Sequence, residues 1–140
     1  MEDAVVKTIA GFLNTDGGTL LIGVGDEGQI VGLVHDLPLV KPPSADGLVN
    51  WLTTHLINAL QHTAVMRTRA RVDRVVDDNI CRIDVARSSA PIVARMSDGR
   101  HAFWVRMNNS TRELPEVEVD KYVKQHWTSG SPHLDRLARE

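Results

Sequence analysis

Residues 12–32, FLNTDGGTLLIGVGDEGQIVG, decide how this chain is read. An apolar helical pattern runs into N-T-D-G-G and stops there. A dense apolar run, TLLIGV, follows, and a second turn, G-D-E-G, leads into another apolar run. Upstream, Val5, Val6, Ile9, Phe12 and Leu13 recur at helical spacing, which predicts an amphipathic helix over 2–13. Asn14 and the Gly17-Gly18 pair end it, as residues tolerant of positive φ do. Thr19–Val24 reads as a buried strand and Gln29–Val34 as its hairpin partner, turned by Asp26-Glu27-Gly28. The string GVGDEG also matches G-x-G-x-x-G. A dinucleotide fingerprint requires strand, glycine turn, then helix, because the helix N-terminus holds the pyrophosphate. Here the glycines lead into a second strand. A kinase glycine loop does sit in a hairpin, but the chain has no V-A-I-K, H-R-D or D-F-G, and no G-x-x-x-x-G-K-[ST]. The glycines are read as serving turns and close packing.

Downstream, residues 36–44 carry Pro38, Pro42 and Pro43 and read as a loop. Leu48, Leu52, Leu56 and Leu60 recur every four residues, with Trp51 and Ile57 beside them, predicting a helix over 46–62 capped by Ser44 or Asp46. RTRARVDRVV (67–76) alternates as a strand. Asp77-Asp78-Asn79 reads as a hairpin turn, and ICRIDVA (80–86) as the returning strand. A short strand, IVARM (92–96), turns at Ser97-Asp98-Gly99 into HAFWVRM (101–107). Pro115 opens a last helix with Val119, Tyr122, Val123 and Trp127 on its apolar face. The expected fold is α+β: a mixed, largely antiparallel sheet of hairpins packed with about three helices. One domain is expected over 1–127, with 128–140 as a polar, flexible tail.

Composition narrows the function. The 140 residues suit one core, and 42% are apolar. No apolar run approaches the roughly 20 residues of a membrane helix, and the acidic N-terminus does not resemble a signal peptide, so a cytoplasmic protein without membrane contact is expected. The single cysteine, Cys81, fits a buried strand position. Net charge is −2, so nucleic-acid binding requires a local basic face. Arg67, Arg69, Arg71 and Arg74 fall within one strand, with Arg82, Arg87, Arg95, Arg106 and Arg112 on neighbouring elements. They either grip phosphates or form an ordinary solvated face neutralised by Asp73, Asp77, Asp78 and Asp84. Aromatic residues are only 4%, so base stacking would rest on Phe103 or Trp104. In VRMNNSTRELP (105–115), Arg106 and Arg112 flank short polar residues. Such a turn either receives an anion or caps the last helix. None of the six histidines forms an H-x-x-x-H pair, and no metal or cofactor is expected on that ground.

KTIAGFLNTDGGTLLIGVGDEGQIVGL (7–33) resembles the first signature of the Schlafen-type AlbA-like domain: an apolar helix, F-x-N-T-x-G-G, an apolar strand, G-V-x-D-x-G and V-x-G. FWVRMNNSTREL (103–114) resembles its second, aromatic-x-V-R-x-G-N-S-T-R-x-L, and YVKQHW fits its last helix. The resemblance implies a cytoplasmic module that binds DNA or RNA, often the front part of a longer regulator, including transcriptional regulators, or of a defence protein. On this expectation Arg67, Arg69, Arg71, Arg106 and Arg112, singled out above from the arginine pattern, would contact phosphates, with Asn14, Thr15, Ser110 and Thr111 shaping the site or donating hydrogen bonds. In animal Schlafen proteins the domain cuts RNA with three carboxylates, two of them in an E-x-x-x-x-E-F-K strand that this sequence lacks. The third falls on Asp26. The expectation is therefore a binder rather than an enzyme. The alternatives are a nuclease using Asp26 with Mg²⁺ or Mn²⁺, and a protein-interaction module. Because the animal domain pairs two related lobes, a homodimer is expected. Asn108 stands where the family usually has Gly; Asn tolerates the left-handed conformation, so the turn should survive.

Overall fold

The computed structural model describes residues 2–24, 30–33, 45–75 and 78–127. Helix α1 (Glu2–Leu13) buries Val5, Val6, Ile9, Ala10 and Leu13 on one face. It ends where the Gly17 N–H donates to the Phe12 carbonyl at 2.8 Å, with Gly17 at φ 78°. A Cβ on Gly17 would stand 2.6 Å from the Val85 carbonyl oxygen, and one on Gly18 would stand 2.5 Å from the Phe12 ring. The glycine pair therefore lets the helix end press against the sheet. Strand β1 (Gly18–Val24) then pairs antiparallel with β2 (Ile30–Leu33), through Ile22↔Leu33 and Val24↔Ile30. The opening stretch runs strand to strand and not strand to helix.

Helix α2 (Ala45–Leu60) buries Leu48, Leu52, Leu56 and Leu60, the four-residue repeat expected of it. A separate short helix, α3 (His62–Val65), follows a break at Gln61, φ 73°, so the single helix read over 46–62 is two. Strands β3 (Thr68–Val75) and β4 (Asp78–Val85) complete an antiparallel sheet in the order β2-β1-β4-β3. Asp78 and Asn79, expected in a turn, belong to β4 and pair with Val75 and Arg74. The buried alternation of Cys81, Ile83 and Val85 extends back to Asn79, and the register leaves only residues 76–77 between paired positions.

The segment read as one strand over 101–107 divides at Phe103. Its first part, β6 (His101–Ala102), pairs with β5 (Ala94–Arg95). Its second, β7 (Trp104–Met107), pairs with β8 (Ser110–Glu113). The β8 strand was not visible in the sequence, because S-T-R-E carries no apolar alternation. Asn108 takes φ 57° at the β7–β8 turn, the left-handed geometry expected of it. Helix α4 (Glu116–Trp127) follows.

The interior has two parts. The larger gathers α1, α2, the inner face of β1 and β4, Ala94, Met96 and Ala102. The smaller holds Phe103, Val105 and Leu114 under Val119, Tyr122, Val123 and Trp127 of α4. Residues 102–105 serve both by simple alternation. Ala102 and Trp104 face the larger part, Phe103 and Val105 the smaller. No helix among the described residues is long and apolar enough to cross a membrane.

Candidate nucleic-acid interface

The two stretches that carry the resemblance, 12–18 and 103–114, dock on each other. Asn14 is fully buried between them. Its amide nitrogen donates to the carbonyls of Ile92 (2.8 Å) and Trp104 (2.9 Å), and its amide oxygen accepts from the Ile92 N–H at 2.8 Å. Its own carbonyl accepts from the Tyr122 hydroxyl. Asn14 thus shapes the site from inside and is too deep to touch a ligand. Thr15 accepts from the Arg106 N–H through its hydroxyl at 2.9 Å, and its carbonyl lies 3.1 Å from His126 Nε2. Trp127 donates to the Ser88 carbonyl and Arg87 to the carbonyl of His126, closing α4 over the same junction.

Of the five arginines expected to contact phosphates, Arg106 is fixed at this junction. Its guanidinium lies 4.9 Å from the centre of the Phe12 ring and donates to the Thr111 hydroxyl at 2.8 Å. Its stem runs over Gly11, where a Cβ would meet the Thr111 methyl at 3.2 Å. A hollow of about 340 Å³ opens beside it, bordered by Thr15, Asp16, Gly17 and Asn108.

On the other side of the glycine pair lies a larger hollow, about 600 Å³, bordered by Gly18, Thr19, Met66, Arg67, Arg69 and Asp84. Arg69 and Arg71 project from the outer face of β3, with Arg82 opposite Arg71 on β4. Two of these three are neutralised in place: Arg71 pairs with Asp73 at 3.0 Å and Arg82 with Asp84 at 3.1 Å. Arg67 and Arg69 are exposed and form no ion pair among the described residues. The Thr19 hydroxyl donates to Asp84 at 2.8 Å and, with Arg82 adding to it, holds that carboxyl below its usual range. Behind this face Cys81 is fully buried, and loss of solvation pushes its thiol up to about 12.

The anion clamp suggested for Arg106 and Arg112 is not formed. Arg106 stands opposite Thr111, and Arg112 opposite Val105, so the pleat sends the two guanidiniums to opposite faces of the hairpin. Arg112 donates to Ser110 instead, at 3.2 Å. Thr111 belongs to the Arg106 face and Ser110 to the other. Phe103 is buried; Trp104 is half-buried, donates to the Met96 sulfur and carries the Lys7 ammonium 5.6 Å from its ring centre. Asp26 lies outside the described residues, as do Glu27 and Asp77. Among the described residues, no three His, Cys, Asp or Glu side chains gather where they could hold a metal ion. Sequence reasoning missed Met66, 81% exposed at the rim of the larger hollow. An apolar residue just before an alternating arginine strand was the available signal.

A family model described as "Schlafen, AlbA_2" matches residues 1–115, which include every residue of this junction except those of α4. The chain belongs to the Schlafen AlbA_2 family. That membership links the domain to nucleic acids. Among solved structures, the DIP2311 protein from Corynebacterium diphtheriae is similar, with 20% identity and a TM-score of 0.56 over 91% of this chain. The likeness is one of fold, and this Schlafen AlbA_2 chain spans 23% of that protein's length. No curated protein matches it.

Proposed function

We propose that this domain binds DNA or RNA through the surface that straddles Gly17-Gly18, with Arg106 on one side and Arg67 and Arg69 on the other. The observation that carries the reading is the pair of hollows meeting at the glycine link, each edged by arginine not spent on a carboxylate. Arg106 is pre-oriented, so little rotamer freedom is lost when it meets a phosphate. Asp16 and Asp84, which border the hollows, disfavour anions bound elsewhere on their rims and so help define the path. Arg71 and Arg112 are secondary: one is already paired, the other faces away. Because net charge is −2, affinity must come from this local field and fall with salt.

The test is fluorescence anisotropy with single-stranded DNA, duplex DNA and hairpin RNA across a salt series. Losing both Arg67 and Arg69 to alanine should lower the slope of log affinity against log salt by about 1.5, the sum of two phosphate contacts at ~0.7–0.9 each. A folded double variant with an unchanged slope would remove the larger hollow from the interface. Failure of the wild type to bind any of the three would refute the reading.

A further inference from the structure

A third hollow, about 340 Å³, lies between the first turn of α1, the C-terminal half of α2 and the β5–β6 hairpin. It shares no bordering residue with the two hollows at Gly17-Gly18. Its rim carries Asp3, His55, Asn58, Arg95 and Ser97. Asp3 is engaged by the turn: its carboxylate accepts from the Ser97 N–H at 3.0 Å and the Ser97 hydroxyl at 2.7 Å. These bonds pin the hairpin to the helix and fix the shape of the hollow.

Of the other rim groups, His55 acts electrostatically on the Asp3 carboxylate, whereas Arg95 and Asn58 are unengaged among the described residues. Arg95 is exposed and has no ion pair or hydrogen bond among the described residues. His101, directly across the β5–β6 ladder, adds a second basic group beside it. Asn58 is exposed and its amide is likewise unengaged among the described residues. The His55 ring stacks on Trp51 one turn earlier in α2, with centroids 5.5 Å apart and planes 6° from parallel. Trp51 is 44% exposed, an unusual position for a large aromatic residue whose task is only to fill a core. The His55 ring, backed by Trp51, with an amide and a free guanidinium around a hollow of this size match the parts of a nucleotide: a face to stack, an edge to hydrogen-bond and a phosphate to neutralise.

We propose that this hollow binds a nucleotide, its base stacked against the His55 ring that Trp51 backs, its edge read by Asn58 and its phosphate held by Arg95. The site is independent of the arginine surface proposed above. The bound unit is either a free mononucleotide or a nucleotide in a single strand, and the same groups recognise both.

The experiment titrates the whole chain with AMP, adenosine, inorganic phosphate and a 5′-phosphorylated oligodeoxyadenylate, followed by calorimetry and tryptophan fluorescence. Wild type, Arg95→Ala, His55→Ala and Trp51→Phe are compared, with circular dichroism to check folding. AMP should bind more tightly than adenosine or phosphate. Arg95→Ala and His55→Ala should each weaken it about tenfold, the scale of a lost charge-assisted or stacking contact. Trp51→Phe should abolish most of the fluorescence response. If AMP fails and the oligonucleotide binds, with the same two variants weakening it, the source is a strand and the site stands. No binding of either ligand up to about 10 mM, or binding that both variants leave unchanged, overturns the proposal. Because none of these residues belongs to the arginine surface, failure here leaves the salt-slope test untouched, and the reverse holds.

Discussion

Arg106 and Arg71 are the same residue type on antiparallel strands of the same small domain, yet they are held differently. Arg106 sits over the Phe12 ring, donates to Thr111 and has its backbone N–H taken by Thr15. Its position depends on α1, where its stem runs over Gly11, and, through Asn14, on the chain near Ile92. Arg71 reaches only to Asp73, two residues along its own strand, with 61% of its side chain exposed. The first arginine is bought with tertiary structure and is already where an anion would need it. The second is adjustable and screened by water. A cation of the first kind supplies geometry to an interface, and one of the second kind supplies charge.

That contrast is broken most severely at Asn14. Asn14→Ala would strand the Ile92 N–H and the Ile92 and Trp104 carbonyls, so a loss of about 3 kcal/mol in stability is expected. Urea denaturation measures it, and a loss under ~1 kcal/mol would mean that the junction holds by packing alone. Next comes Arg106. Arg106→Ala should cost about 1–2 kcal/mol from the ring contact and the hydrogen bond, and should weaken nucleic-acid binding as well. Arg106→Lys keeps the charge without the planar fork. It should recover stability less well than salt-dependent affinity, and equal recovery of both would contradict the geometric role.

Asp84 gives a smaller effect with a definite sign. Its carboxyl is depressed by the Thr19 hydroxyl and Arg82, so the stability it contributes is present above the unfolded pKa, near 3.9, and is lost as pH falls through the lower folded value. The difference in melting temperature between wild type and Asp84→Asn should therefore be seen at pH 6 and vanish at the acid end of a series taken below pH 4. A difference that grew on acidification would reverse the assignment. The smallest effect belongs to the exposed pair: Asp73→Asn should change stability by less than about 0.5 kcal/mol, while freeing Arg71 and modestly raising affinity at low salt.

The sequence showed the α+β class, both ends of α1, the start of α4 and most strands, because each depends on neighbours within one or two turns of chain. Gly17-Gly18 and the left-handed Asn108 were legible for the same reason. The candidate site was less so. Asn14 was read as closing a helix and shaping the site, but its burial was not legible, since its partners are 78 and 90 positions away and nothing local announces them. The opposite facing of Arg106 and Arg112 depends on β8, which has no apolar alternation to reveal it. The pairing of acids with Arg71 and Arg82 was visible only as one of two alternatives. Spacing places an Asp near an Arg, but the strand pleat decides that they share a face.

Residues 102–105 carry a further consequence. Because alternate side chains there line two different interiors, one inserted or deleted residue would exchange both linings at once, turning Phe103 toward the space now filled by Ala102 and Trp104. Length changes over these four positions should therefore be purged among natural variants, whereas the β7–β8 tip at Asn108 and Asn109, exposed on both residues, is free to lengthen. The domain's evolutionary freedom to remodel its surface thus lies at the hairpin tip, and its rigidity lies in the wall from which that hairpin projects.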